Sequence, residues 1–302
     1  MPHPLPHTYS GHRRVRIDNI GTRWSEPAGS SADGATYHYN ELGFRGPGFQ
    51  PDAKWYAFVF GESDAFGEGV DFEEIWAVRV AREIAHRRGL ARHETCIMNF
   101  ADAGASNAHI ARMVITQCGR VRPDLVLVNL AEEGRMEGWM NGEAFAVGPW
   151  FHSAATEAEI ERVPDDDTGD GNLKAQLRER LERGRAFLRY SDRPQSILDS
   201  LRDILLVQNT LRAAGIESYA ITRQLNRLFR RETIDDPLMG PLAGQIDASF
   251  LASFHPLRLR RRNDWRGTHY GPLTHAAVAK RMLTHIDDRA SVTSPWSAAL
   301  AQ

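Results

Sequence analysis

The chain alternates short apolar runs with longer amphipathic stretches. Four runs read as buried strands: 55–60 (Trp-Tyr-Ala-Phe-Val-Phe), 94–100, 124–130 (Asp-Leu-Val-Leu-Val-Asn-Leu) and 216–222. They are rich in aromatic and β-branched residues and apolar on nearly every position, not on every second one. That is the pattern of strands covered on both faces. Between and after them, apolar residues recur at helical spacing over 73–88, 107–118, 193–214 and 272–287, as with Ile75, Val78, Ala81 and Ile84. Strands and helices in alternation predict an α/β fold with a parallel sheet between helical layers.

Two stretches break the rhythm. From about 131 to 192 no strand is predicted. Trp139, Met140, Phe145, Trp150 and Phe151 fall there among glycines without a clean period. This reads as a loop-rich lid, with Trp139, Trp150 and Phe151 as candidates to line an apolar substrate pocket. The lid continues through the solvated acidic run Asp165–Asp167 into a charged helix at about 172–187. A second, helical excursion, 226–264, ends in the basic run Arg258–Arg262. That run is either a solvated face or a grip for an anionic substrate or the acidic surface of an acyl-carrier protein. Residues 1–37 read as an irregular arm with a short strand near Val15–Ile17, residues 38–287 as the α/β domain, and 288–302 as a flexible tail.

Composition narrows the field. Of 302 residues 42% are hydrophobic and 25% charged, ordinary for a globular chain, and the net charge of −2 gives no pull toward nucleic acid or anionic membranes. Cys96 and Cys118 do not make a disulfide framework. The opening Met-Pro-His-Pro-Leu-Pro-His has no apolar core of a signal peptide, and no apolar run is long enough to span a membrane, so the cytoplasm is the expected compartment. His152, His255 and Asp165–Asp167 lack zinc-ligand spacing, and Gly67-Glu68-Gly69 is not followed by the Gly-Lys-Ser/Thr of a phosphate loop. No cofactor or metal is expected.

The candidate chemistry begins at Ser63, in Gly61-Glu62-Ser63-Asp64, just past the first strand. A serine in a Gly-rich turn can simply bond its own backbone. Here it also lies where open α/β sheets bind ligands, outside the carboxyl end of a parallel strand. A nucleophilic serine needs a base. His269 offers one, on the loop Gly267–Pro272 before the closing helix, whereas His275 falls inside that helix, where packing or a supporting role is expected.

These blocks resemble the SGNH (GDSL-type) hydrolase family. Gly61-Glu62-Ser63 is similar to its Gly-Asp-Ser block, with Glu for Asp. Phe66-Gly67-Glu68-Gly69-Val70 and the upstream Asn40-Glu41-Leu42-Gly43-Phe44-Arg45-Gly46 are similar to many bacterial members. Asn99-Phe100-Ala101-Asp102-Ala103-Gly104 fits the second block, and His269 and His275 have the spacing of the last. The resemblance implies a flavodoxin-like three-layer fold and a serine hydrolase acting on a small-molecule ester or thioester. Its nucleophile would be Ser63 and its base His269, and the N–H groups of Ser63 and Gly104 would bind the oxyanion.

Two departures stand out. Glu133 falls where the family has an oxyanion-donating Asn, so Asn107, Asn129 or Arg135 must donate instead. Arg135 is also a candidate substrate contact. Arg266, not Asp, stands three residues before His269; Asp264, five before, is then the expected orienting acid, with a carbonyl, Glu132 or Glu133 as alternatives. An acyl transferase or cyclase on a carrier-bound intermediate, and a catalytically silent binding protein on the same fold, are the competing functions.

Overall fold

A computed structural model describes residues 28–30, 35–140, 143–148, 157–158, 160–161, 173–190, 193–261, 264–266 and 269–288. In chain order its named elements begin with β1 (Ala28–Ser30), β2 (Thr36–His38), β3 (Trp55–Gly61), α1 (Ser63–Phe66), α2 (Trp76–Arg87), β4 (Thr95–Asn99), α3 (Asn107–Arg120) and β5 (Leu125–Leu130). There follow β6 (Met136–Met140), β7 (Glu143–Val147), α4 (Leu173–Tyr190), α5 (Arg193–Ala213) and β8 (Glu217–Thr222). The short helices α6 (Leu225–Leu228), α7 (Arg231–Ile234) and α8 (Met239–Ala243) lead to β9 (Trp265–Arg266), β10 (His269–Tyr270) and the closing helix α9 (Pro272–Asp288).

The central sheet has four parallel strands in the order β4-β3-β5-β8. An isolated parallel bridge, Ala220↔Leu251, continues it past β8. Counted along the sheet this is the order 2-1-3-4-5 of the flavodoxin-like doubly wound fold. Helices cover both faces, and the pleat divides the apolar residues between them. Phe58, Phe60, Met98, Val126 and Val128 join α3 and α5 in one buried cluster. Ala57, Val59, Ile97, Leu125 and Leu127 join α2 and α9 in the other. Alternate side chains of one strand thus enter opposite layers, which is why the strands read as continuous apolar runs.

The topology reverses between β3 and β5, which leave the sheet on either side of a crevice. Their ends pair at Gly61↔Asn129. Gly61 has φ +151, and a Cβ there would come within 2.7 Å of the Asn129 carbonyl oxygen and of the Ala65 methyl. Only glycine lets the chain turn so tightly from β3 into the Ser63 turn.

The region after β5 differs from expectation. An antiparallel hairpin, β6–β7, occupies 136–147, where no strand is predicted. Trp150, Phe151 and the Asp165–Asp167 run lie outside the described residues, as do Val15–Ile17 and the tail from 289 onward. The charged helix predicted at 172–187 is α4. No helix among the described residues is long and apolar enough to cross a membrane.

Candidate active site

Ser63 opens α1, a single helical turn, and is buried. Glu62 caps that turn, its Oε1 accepting the Asp64 N–H at 3.2 Å. The turn closes on Gly67, which is left-handed. The following loop is braced from below by the upstream block. The buried Arg45 guanidinium donates to the Phe66 carbonyl at 2.7 Å and to those of Gly67 and Val70. It lies 4.3 Å from the Tyr37 ring centroid, and the Tyr37 hydroxyl accepts the Gly69 N–H at 2.6 Å. Burial pulls the Arg45 guanidinium down to about 10, yet it stays cationic at neutral pH.

The Ser63 turn packs against β10, so the candidate nucleophile and His269 belong to touching elements. His269 Nε2 lies 3.4 Å from Glu68 Oε2, and both side chains are largely buried. Asp264, the acid expected to orient His269, is engaged elsewhere. Its Oδ2 accepts the Thr274 N–H at 2.5 Å, its Oδ1 the Leu273 N–H at 3.4 Å, and its backbone carbonyl the Gly271 N–H at 2.7 Å. It therefore serves the open amides at the start of α9. A Cβ at Gly271 would meet Asp264 Oδ1 at 2.2 Å, so the two positions are fitted to each other.

The Ser63 hydroxyl lies 2.6 Å from Glu62 Oε2. The same carboxylate receives the Asn129 amide on Oε1 and Arg135 Nη1 on Oε2, the latter at 3.4 Å. Burial alone would raise the Glu62 carboxyl, but Arg223, Arg135, the Ser63 hydroxyl and His269 together hold it down at about 2. Asp64, also buried, pairs with Arg223, whose guanidinium lies 4.6 Å from the Tyr270 ring centroid. Burial raises the Asp64 carboxyl to about 7, with Arg223 pulling it back and the charge of Glu62 adding to the rise.

The expected oxyanion donors separate. Asn107 has both ends of its amide on Ala131, accepting that N–H at 2.8 Å and donating to that carbonyl at 3.1 Å. Asn129 donates to Glu62. Gly104, with φ +81, lies in the turn after β4, which is tied to the end of β3 by the Asp102 N–H on the Gly61 carbonyl at 2.9 Å. Glu133 pairs with Arg227, and its N–H donates to Gln224 Oε1 at 2.7 Å. Arg135 reaches the serine's own acceptor. Trp139 is exposed on β6, with the Arg112 guanidinium 5.2 Å from its ring centroid. Arg112 and His109 both meet Glu137, tying the hairpin to α3.

His275 is fully buried. Its Nδ1 accepts the Trp76 N–H at 3.1 Å, the first amide of α2, and burial, with Arg45, Arg79, His269 and Arg223 nearby, lowers it to about 3. It is a neutral helix cap, in keeping with the supporting role expected of it. Glu62, Asp64, Glu68, Arg223 and Tyr270 form the rest of the polar lining and are not prominent in the sequence. One signal was available for Arg223: it is the first residue past the fourth strand, at the ligand-binding end of the sheet. Among the described residues, no group of three or more His, Cys, Asp or Glu is arranged to hold a metal ion.

No family model matches the chain, and no curated protein matches it. Solved structures do. The psychrotrophic esterase EstA from Pseudoalteromonas sp. is 11% identical, with 78% of this chain and 99% of that one covered and a TM-score of 0.42. TesA is 13% identical over 78% and 99%, also at 0.42. A catalytic mutant of Axe2, an acetylxylan esterase from Geobacillus stearothermophilus, is 10% identical over 79% and 96%, at 0.31. At these TM-scores the likenesses carry no functional inference, and the chemistry rests on this chain's own residues.

Proposed function

We propose that the chain is a serine hydrolase of the SGNH type that cleaves an ester or thioester through an acyl-enzyme on Ser63. One juxtaposition carries this reading. Ser63 lies just beyond the carboxyl end of β3, at the crossover of the sheet, on a turn packed against the strand that holds His269. In the reaction, Ser63 Oγ attacks the acyl carbon and its proton passes to His269. The N–H groups of Ser63 and Gly104 donate to the oxyanion, and Arg135, which reaches the carboxylate that holds the Ser63 hydroxyl, is the further donor in this reading. The leaving alcohol or thiol takes the proton from His269. Water then attacks the acyl-enzyme, His269 accepting its proton and returning it to Ser63 as the acid leaves. Glu68 is the acid we assign to His269, because Asp264 caps α9. Trp139, exposed on the hairpin that follows Arg135, is a substrate contact in the same reading.

The test is labelling by a fluorophosphonate probe, with the adduct located by peptide mass spectrometry, alongside hydrolysis of an activated ester. Wild type should carry the adduct on Ser63. Ser63→Ala and His269→Ala should each lower kcat by about a thousandfold or more. Retention of a tenth of wild-type kcat by Ser63→Ala refutes the reading. Product analysis in the presence of an acceptor alcohol separates hydrolysis from acyl transfer. A binding protein on the same fold is favoured by one observation, the Ser63 hydroxyl engaged with Glu62, and predicts a folded chain with no adduct and no turnover.

A further inference from the structure

A serine hydroxyl has one proton to give. At 2.6 Å from Glu62 Oε2, and with that carboxylate already receiving Asn129 and Arg135, Ser63 must be the donor. While that bond stands, the proton is not directed at His269, whose Nε2 faces Glu68. Glu62 could in principle be the base itself. A carboxyl held at about 2 is too weak a base to draw a proton from an alcohol near neutral pH. It is, however, a strong acceptor, because charge-assisted hydrogen bonds are about twice as strong as neutral ones. The extra methylene of Glu over Asp matters here: from the residue before the serine, it lets the carboxylate fold back both to the Asp64 N–H and to the serine hydroxyl.

We propose that Glu62 is a positioning residue that latches the Ser63 hydroxyl in the resting site, so that attack requires the hydroxyl to turn from Glu62 to His269. The proposal rests on Ser63 being the nucleophile. The latch lowers the reactive population of the serine without touching substrate. Asn129 and Arg135 fix the carboxylate by hydrogen bonds, Arg223 and Arg135 keep it ionised, and Arg135 enters from the segment between β5 and the hairpin, so the latch is anchored to the chain that leads into the hairpin.

The experiment compares wild type, Glu62→Asp and Glu62→Gln for the second-order rate of Ser63 labelling by the fluorophosphonate, and for kcat and KM on an activated ester. Asp keeps the charge and loses the reach; Gln keeps the reach and loses the charge. Both should label faster than wild type, Asp by about tenfold, the scale of one hydrogen bond to a charged group, with kcat rising and KM unchanged. A fold defect lowers these rates, so an increase is not a by-product of damage. If neither single variant folds, Glu62→Gln/Arg135→Gln removes both charges of the buried pair and is read against Arg135→Gln alone, over which it should show the same increase. If wild-type Ser63 is labelled and the variants label at the same rate or more slowly, the latch is refuted and the nucleophile stands. If no form yields a Ser63 adduct, the nucleophile reading fails and the latch with it.

Discussion

At the scale of single residues, the site is decided by which acid each polar group has found. Spacing along the chain puts forward Asp264, or else a carbonyl, Glu132 or Glu133, to orient His269. The Asp264 carboxylate serves amides at the start of α9, while Glu68 reaches His269. Asp264→Ala should therefore lower unfolding stability by about 0.5–2 kcal/mol, the usual worth of such a cap, and leave kcat within a few-fold. Glu68→Gln should lower kcat about tenfold or more with little change in stability. Denaturant unfolding and ester kinetics on the same two variants check this, and the opposite division of effects returns the orienting role to Asp264. Glu133 is held by Arg227, so Glu133→Asn should not raise kcat. Ser63 and His269 were legible as candidates because one follows a strand and the other precedes a helix, whereas Gly104 was put forward by the family resemblance alone. The engagement of Glu62 with Ser63 was not, because a one-methylene change from the usual Asp carries no signal in periodicity or composition. Nor was the fate of Asn107, whose partner Ala131 lies across the crevice.

At the scale of elements, continuous apolar runs predicted the four central strands to within a residue at each end. The hairpin β6–β7 escaped because Gly138 and the polar Glu137 and Glu143 interrupt any alternation over two short strands. Helix α2 begins at Trp76, not 73, because a short 3-10 turn, Phe72–Glu74, precedes it and His275 takes the first amide. The segment before β3 shows what a motif can do without any element of its own. Arg45 fastens the carbonyls of Phe66, Gly67 and Val70, and so fixes the loop that carries Glu68 to His269. Arg45→Met leaves those carbonyls without their donor in a buried site. It should cost about 3 kcal/mol or more and depress kcat by loosening Glu68. Arg45→Lys should not rescue either quantity, because one ammonium cannot reproduce a planar fork spread over several carbonyls. Thermal unfolding and kcat of both variants test this; recovery by Lys shows that charge alone is required.

At the scale of the whole molecule, the site draws on positions from Arg45 to His275, and the 2-1-3-4-5 order brings them to one end of the sheet. His275 joins the last helix to the start of α2, and its burial ties the fold to pH. Its native value is about 3 against an ordinary 6.5. The unfolded chain thus binds a proton that the native chain refuses between those values, and stability contributed by neutral His275 is complete above 6.5 and lost as pH falls toward 3. Arg45, Arg79, His269 and Arg223 face the same imidazole and oppose its protonation. Asp64 works the other way. With its native value raised to about 7 from an ordinary 3.8, the native chain holds a proton the unfolded chain releases, so its contribution weakens as pH rises through that window. The two effects overlap in the wild-type profile and must be separated by difference. His275→Gln keeps an acceptor for the Trp76 amide and removes the titration. The stability gap between wild type and His275→Gln, from urea unfolding, should shrink by about 2–3 kcal/mol between pH 7.5 and pH 4.5, at about 1.4 kcal/mol per unit over the two units below 6.5. A gap that stays constant over that range means His275 is not the buried neutral cap of α2, and the acid sensitivity of the fold belongs to other groups.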